Sequence, residues 1–287
     1  MKLHRLYHPI TAAPFLDNEV YTEYEPCEAL KPYIRCFWGS RMPYRKGKQN
    51  VSQQIVVPDT CVDIIFKIDF ANNRINGKFC GIDDRTFATE ESVTDSRTGM
   101  DAGEESVFAI RFYPWSVFLF SEETLRGTKN GFFDVDQHFS GFKKEIEPQL
   151  FEVVRIEERI SLAERYLLSH MYRRRDQDIF LTTMSEILQK KGNIAIGELS
   201  KTLPVGVRQL ERIFGENIGM SPKQLATLIR YQNLWHDMLF FPQFQILDAV
   251  CQYGYTDQSH LLRDFKKFHS MGPAAARQYA LSYRSVK

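Results

Sequence analysis

No apolar run in this 287-residue chain is long enough to cross a bilayer. Stretches such as "VFLF" at 117–120 end after about one helical turn. The first ten residues, "MKLHRLYHPI", lack the apolar core of a secretion signal, and we expect a cytoplasmic protein without a membrane partner. Cysteine is sparse: five residues (Cys27, Cys36, Cys61, Cys80 and Cys251), an odd number with no C-x-x-C pair. That usage fits reduced thiols rather than a disulfide framework. The seven histidines (His4, His8, His138, His170, His236, His260 and His269) form neither H-x-H nor H-E-x-x-H, so no metal-ligand set is expected. No cofactor and no enzymatic activity are expected either. Charge of either sign is also lacking in excess, with a net value of +1.

The even balance hides an asymmetry. Residues 179–287 carry 13 Lys/Arg against 8 Asp/Glu, a net +5, whereas residues 1–178 carry 24 against 28, a net −4. A basic C-terminal part behind an acidic remainder suits a polyanionic partner. The two parts also differ in periodicity, and an α+β, multidomain chain is expected. The first 150 residues read as a β-rich, barrel- or cupin-like domain. "QQIVVPDTCVDIIFKIDF" (53–70) is two β-branched runs separated by Pro58-Asp59-Thr60, and "SVFAIRF" (106–112) is a further strand. "NNRINGKF" (72–79) carries Asn-Asn and Asn-Gly, both hairpin-turn signals. "PWSVFLFSEETL" is expected to be helical, with Pro114 in its first turn. From 143 to 172 the period becomes helical, with Ile156, Ile160, Ala163, Leu167 and Met171 on one stripe. Residues 151–178 are taken as a helix and linker, and the helix at 153–171 as a dimer contact.

From Ile179 on, the pattern is helical and repeats. Shifting the chain by 51 residues lays "LERIF" (210–214) on "LLRDF" (261–265) without a gap. Leu210 meets Leu261, Arg212 meets Arg263 and Phe214 meets Phe265. Each copy reads as a short helix, a turn and a longer helix: 195–202 and 207–216, then 246–252 and 257–268. This is the outline of a helix-turn-helix. At 100° per residue, Leu261, Leu262, Phe265 and Phe268 share one face of the last helix. Ser259, His260, Arg263 and Lys267 share the other. Thr256 and Asp257 offer cap oxygens before it. In copy one, Val207, Leu210, Ile213 and Phe214 face inward.

Arginine's planar fork matches guanine O6 and N7, and glutamine can pair with adenine. Arg208, Gln209 and Arg212 are therefore the candidate base readers of copy one, and Gln258, Ser259, His260 and Arg263 those of copy two. Ser221, Lys223, Lys266 and Lys267 are candidates for phosphate contact. Glu211 beside Arg212 and Asp264 beside Arg263 offer competing surface ion pairs.

The segment "GYTDQSHLLRDFKKFHSMGP" (254–273) resembles the second helix-turn-helix of the AraC-type bacterial transcription regulators. The likeness extends over about residues 181–281. "GMSPKQLATLIRYQNLWHDML" (219–239) is similar to the family's linker helix, with Ser221 as cap and Pro222 at its first position. The resemblance implies an all-α domain of two helix-turn-helices joined by a helix at about 222–239. Its recognition helices would enter successive major-groove segments roughly 34 Å apart. It further implies double-stranded DNA as partner, RNA polymerase where the regulator activates, and an N-terminal domain that senses a small-molecule effector, forms a homodimer, or both. Copy one departs from the pattern, with Leu203 at the turn glycine register and Gly206 at the cap; after copy two, "HSMGP" exchanges the usual Gly and Ser.

The stretches "CEALKPYIRCFWGSR" (27–41), "VVPDTCVDIIF" (56–66) and "FAIRFYPWSVFLF" (108–120) resemble the β-rich N-terminal domain of one subset of these regulators. Trp38, Phe66, Phe79, Phe112 and Trp115 are the aromatic candidates for an effector pocket. Two other functions share parts of this pattern. A DNA-repair methyl acceptor would use N-terminal cysteines, although the gaps of 9, 25 and 19 residues between Cys27, Cys36, Cys61 and Cys80 are irregular. A protein-interaction module would keep the helix pair but bind no DNA.

Overall fold

The structure is a computed structural model that describes residues 2–45, 51–92, 104–172 and 176–285. Among the described residues nine strands precede nine α-helices. The main sheet is antiparallel, in the order β1 (Thr22–Tyr24), β2 (Ile34–Gly39), β8 (Glu104–Phe112), β5 (Val62–Asp69), β6 (Arg74–Cys80) and β9 (Phe132–Asp134). The short β3 (Tyr44–Arg45) also pairs with β8, and β4 (Val51–Val56) with β7 (Phe87–Ser92) forms a separate two-stranded ribbon.

Strand alternation gives the sheet two chemically different faces. Val62, Ile64, Phe66 and Ile68 are buried, whereas Asp63, Ile65 and Lys67 point the other way. Across the register, Phe37, Ile110 and Phe79 continue the first face. Trp38, Arg111 and Cys80 continue the second. The first face packs against α1 (Ser140–Glu152) and α2 (Ile156–Ser169), with Phe66 stacked on Phe142 at 5.8 Å and Phe142 meeting Tyr166 at 5.1 Å. The second face looks toward the β4–β7 ribbon.

Three local expectations are corrected here. Asn72 and Asn73 do make the β5–β6 turn, Asn73 being left-handed with φ 51°, but Asn76-Gly77 lies inside β6. Gly77 stands opposite Phe66, where a Cβ would come within 2.7 Å of the ring, so close packing explains the glycine. The segment after Pro114 forms only one 3-10 turn, Val117–Leu119. The Ser116 hydroxyl donates to the Tyr33 and Tyr113 carbonyls, a local alternative to helical bonding. The stripe at Ile156, Ile160, Ala163 and Leu167 is buried within the same chain, where α2 packs on α1, with Met171 outside it, so this apolar stripe is not a surface left for a second subunit. Arg159 of α2 is wholly buried and donates to the Leu150 and Val153 carbonyls at the end of α1, and to Ser106 of β8.

The C-terminal domain is all helical. It comprises α3 (Gln177–Gln189), α4 (Ile196–Thr202), α5 (Val207–Ile218), α6 (Pro222–Phe240), α7 (Ile246–Gln252), α8 (Gln258–His269) and α9 (Pro273–Ser282). The 19-residue α6 is its axis. Ser221 caps it in a reciprocal capping box with Gln224, and Pro222 occupies its first turn, as the sequence predicts. Tyr231 and Trp235 of α6 pack on Phe265 of α8 at 5.6 and 5.9 Å. The repeat is visible in the backbone: Gly219 after α5 and Ser270 after α8, 51 residues apart, both take the left-handed conformation, with φ 74° and 60°.

The two domains share one apolar core. On α6, the wholly buried Gln232 accepts from Ile10 N–H at 2.9 Å through its carbonyl oxygen and donates to Pro58 O at 2.9 Å through its amide nitrogen. Trp235 donates its indole N–H to Thr11 O at 3.0 Å. Phe118 and Phe180 meet edge-on at 5.1 Å, and Phe180 meets Phe214 of α5 at 4.7 Å.

Two outcomes are expected in urea unfolding of the full chain. Gln232→Leu leaves the Ile10 amide and the Pro58 carbonyl buried without partners, at about 1–3 kcal/mol for each group. Its midpoint falls well below that of wild type. Ser270→Gly relieves a non-glycine residue in the left-handed region, and its midpoint rises by the equivalent of about 0.5–1 kcal/mol.

Candidate nucleic-acid interface and cavity

The second helix of each repeat unit is amphipathic in the way the sequence predicts. On α5, Leu210, Ile213, Phe214 and Ile218 are buried, while Arg208, Gln209 and Arg212 are exposed. Val207, expected to face inward, is 37% exposed because it begins the helix beyond the edge of the packed stripe. On α8, Leu261, Phe265, Phe268 and His269 are buried, and Gln258, Ser259, Arg263, Lys266 and Lys267 are exposed. Burial lowers the His269 ring to about 3, so it is neutral within the core, hydrogen-bonded to Tyr231 Oη at 2.7 Å.

The starts of these helices differ. Asp257 Oδ1 accepts His260 N–H at 2.7 Å, a side-chain cap, whereas Gly206 at the equivalent place offers none. Gly254 takes φ +66° in the turn of copy two, and a Cβ there would lie 2.4 Å from the Asn193 side chain. Leu203, in the same register of copy one, is extended. The sequence departures in copy one are thus real differences in turn geometry.

His260 is not a free reader. Its Nδ1 lies 2.9 Å from Thr256 Oγ1, its Nε2 3.8 Å from Asp264, and its ring stands edge-on to Tyr255 at 5.2 Å. Thr256 therefore holds the histidine ring while Asp257 supplies the backbone cap. Asp264 does not pair with Arg263. It accepts from Arg230 of α6 at 2.8 Å, and the Arg230 guanidinium stacks over Tyr255 at 4.3 Å, fixing α8 against the linker helix. Among the described residues Arg263 has no ion-pair partner.

Arg212 differs from its repeat counterpart. It pairs with Glu216 Oε2 at 2.9 Å, one turn on, and with Asp176 at 3.2 Å, not with Glu211. Glu216 also faces Arg126 of the N-terminal domain at 3.5 Å, and its backbone carbonyl accepts from Leu125 N–H at 2.8 Å. The loop around Thr124–Thr128 therefore rests on the C-terminal end of α5. Of the phosphate candidates, Ser221 uses its hydroxyl in the α6 cap, Lys223 and Lys266 are exposed, and the Lys267 ammonium lies 4.9 Å from the Phe268 ring.

A second feature lies in the N-terminal domain. Between the second sheet face and the β4–β7 ribbon is a cavity of about 190 Å³. Trp38, Tyr21, Ile65, Ile55, Val57 and Phe87 form much of its apolar wall. Asp59, Asp63, Asp83 and Arg111 supply charge, and Tyr279 of α9 closes one side. Tyr279 Oη accepts from Ile55 N–H at 3.3 Å, which ties the ribbon to the C-terminal domain. Arg111 is held by Asp63, with Nε and Nη2 at 3.0 and 3.1 Å, and lies 5.6 Å from the Trp38 ring.

Of the expected pocket aromatics only Trp38 lines this cavity. Phe66, Phe79 and Phe112 are wholly buried on the opposite, helix-covered face, and Trp115 stacks on Tyr113 at 4.4 Å in the core. Asp63 and Arg111, which sequence reasoning did not select, and Cys80, which it considered only as a methyl acceptor, share the parity of Trp38. That alternation was the available signal. The cysteines do not converge: Cys36, Cys61 and Cys80 are buried, Cys27 is half-buried and Cys251 is exposed. Burial pushes the Cys36, Cys61 and Cys80 thiols up, against the thiolate that a methyl acceptor needs. Among the described residues no three His, Cys, Asp or Glu side chains are grouped to hold a metal ion.

Two helix-turn-helix units set at the ends of one helix define the class of the C-terminal domain. Comparison with known proteins agrees: residues 199–279 match the family described as a helix-turn-helix domain. The chain thus carries an AraC-type helix-turn-helix domain at its C-terminus. Residues 22–132 match a domain of unknown function, DUF6597. An uncharacterized HTH-type transcriptional regulator of Haemophilus influenzae is 29% identical over 98 residues, which is 34% of this chain. The match spans about a third (33%) of the length of that relative. Among solved structures, ToxT from Vibrio cholerae is similar at 13% identity, with a TM-score of 0.42 over 83% of this chain and 97% of that one. A ToxT structure with bound unsaturated fatty acid gives 11% identity and a TM-score of 0.39, over 93% and 96% of the two chains. No described helix is long and apolar enough to cross a membrane.

Proposed function

We propose that the chain is a cytoplasmic, sequence-specific regulator of transcription. Its C-terminal domain reads duplex DNA through α5 and α8, and its N-terminal domain adjusts that binding in response to a small molecule held in the cavity. The observation that carries the proposal is the doubled arrangement on α6: two helices in equivalent registers, each with a buried stripe and an exposed cationic and amide-bearing face. Packing alone requires the stripe but not the recurring face.

Arg208 and Gln209 from α5, with Gln258, Ser259 and Arg263 from α8, act as base readers. Lys223, Lys266 and Lys267 meet phosphates, which give affinity without sequence choice. His260 contributes by shaping the start of α8. Arg212 joins the readers once it leaves Asp176, so the free protein holds copy one partly in check while copy two stands open. A homodimer would double the operator, and RNA polymerase is the further partner if the regulator activates. Tyr279 supports the effector role because one side chain touches both the cavity and the domain that carries α8.

Selection of bound sequences from random duplexes tests the proposal. Two short blocks one helical turn apart are expected. Arg208→Ala and Arg263→Ala each blur a different block, at about 1–3 kcal/mol per lost bidentate contact. Lys267→Ala weakens all sequences alike and lowers the salt slope by about one. Absence of any motif, for the full chain and for residues 179–287 alone, counts against it and favours a protein partner for the helix pair. Asp176→Ala is expected to tighten binding by less than about fivefold, since exposed ion pairs are weak. Gel-shift titration measures the change.

A further inference from the structure

The cavity has a chemistry of its own. A cavity of about 150 Å³ suffices to hold benzene. The roughly 190 Å³ here therefore admits a ring or a branched alkyl group with a short side chain. Trp38 and Tyr21, 5.2 Å apart, present aromatic surface. The charged side chains of the lining are three carboxylates, Asp59, Asp63 and Asp83, and one guanidinium, Arg111. Arg111 is committed to the protein. Asp63 takes its Nε and Nη2, Tyr21 Oη its Nη1 at 3.3 Å, and Asp59 and Glu23 each lie 3.7 Å from that same nitrogen. Asp83 makes no ion pair among the described residues.

We infer that this cavity binds a small organic cation, an amine or guanidine on a short apolar body, whose charged end meets Asp83 and Asp59 while its body lies against Trp38 and Tyr21. The inference deepens the effector role proposed above and rests on it. A carboxylate ligand would add a negative charge to an acidic site whose single arginine is already engaged. An aromatic wall beside carboxylates recognises cations, and no grouping suited to a metal ion exists there among the described residues.

The protonation of the site agrees. Burial, followed by the charges of Asp59, Asp63 and Asp84, pushes the Asp83 carboxyl up to about 7, against the opposing charge of Arg85. Burial likewise raises Asp59, although Arg111 opposes it. The Cys61 and Cys80 thiols and the Tyr21 hydroxyl, all raised by burial, and the Tyr279 hydroxyl are the other ionisable groups lining the space. Without a cation the site therefore retains a proton near neutrality, and an arriving ammonium displaces it. Below about pH 7 that proton must be removed before pairing, so binding weakens as pH falls.

The test uses the full chain and three amines: phenethylamine, cyclohexylmethylamine and isopentylamine. Each is compared with the alcohol and the carboxylate of matching shape, by thermal shift and calorimetric titration. At least one amine is expected to bind, at least about tenfold tighter than its alcohol, with no detectable binding of its carboxylate. Its affinity should rise between pH 6 and pH 8 while the alcohol's stays flat. Asp83→Asn, at a half-buried position, should cost the amine fivefold or more and spare the alcohol, without lowering the melting temperature, since it removes a carboxyl whose ionisation near neutrality opposes folding. Equal binding of amine and alcohol, preference for the carboxylate, or no binding by any of the nine compounds overturns the inference. Binding is read without DNA, so the charge preference can stand where sequence selection fails, and can fail where selection succeeds.

Discussion

The side-chain amide of Gln232 holds the two domains in one arrangement. It is wholly buried, and its donor and acceptor are both used, on Pro58 and Ile10 of the N-terminal domain. A buried amide tolerates little sliding, because any displacement leaves polar groups without partners. The helix that carries it also carries Trp235, bound to Thr11, and Arg230, bound to Asp264 of α8. Placement of the N-terminal domain and orientation of α8 are thus fixed from one element, over less than two turns.

The sheet adds a second constraint. Its two faces are assigned by strand parity, and the consequences are opposite: one face is an aromatic core against α1 and α2, the other an acidic cavity beneath a ribbon. Neighbouring residues on one strand, such as Ile64 and Asp63, therefore serve unrelated ends. The same division explains why three buried cysteines are chemically quiet, since they occupy apolar or acidic surroundings that hold the thiol protonated.

Much of the C-terminal domain was legible in the sequence because its signals are local. The Ser221-Pro222 start, the Asp257 cap, the Gly254 turn and the 51-residue repeat each act within a few residues of the structure they specify. The partners of Arg212 and Asp264 were not legible. Asp176 lies 36 residues from Arg212, and the link from Glu216 to Arg126 crosses between domains. The cavity was missed for a different reason. Aromatic residues are the natural sequence markers of a pocket, yet which face an aromatic occupies depends on register. That register shifts between Ile34 and Cys36, where β2 is irregular against β8. A one-residue slip exchanges core for cavity. The hairpin at β5–β6 was found at the right place, but Asn76-Gly77 mimicked a turn where the glycine only makes room for Phe66.

The 19-residue length of α6 has a consequence for how binding sites can change. At 1.5 Å per residue the helix is a rod of about 28 Å, too stiff to twist one end against the other. In duplex DNA each inserted base pair rotates the downstream duplex by about 34° and moves it by about 3.4 Å. In the proposed function, a site that lost or gained one base pair between its two blocks would turn one of them away from its helix. Individual letters could drift at modest cost, whereas spacing could not. Operators of such a protein would diversify by substitution and stay uniform in length.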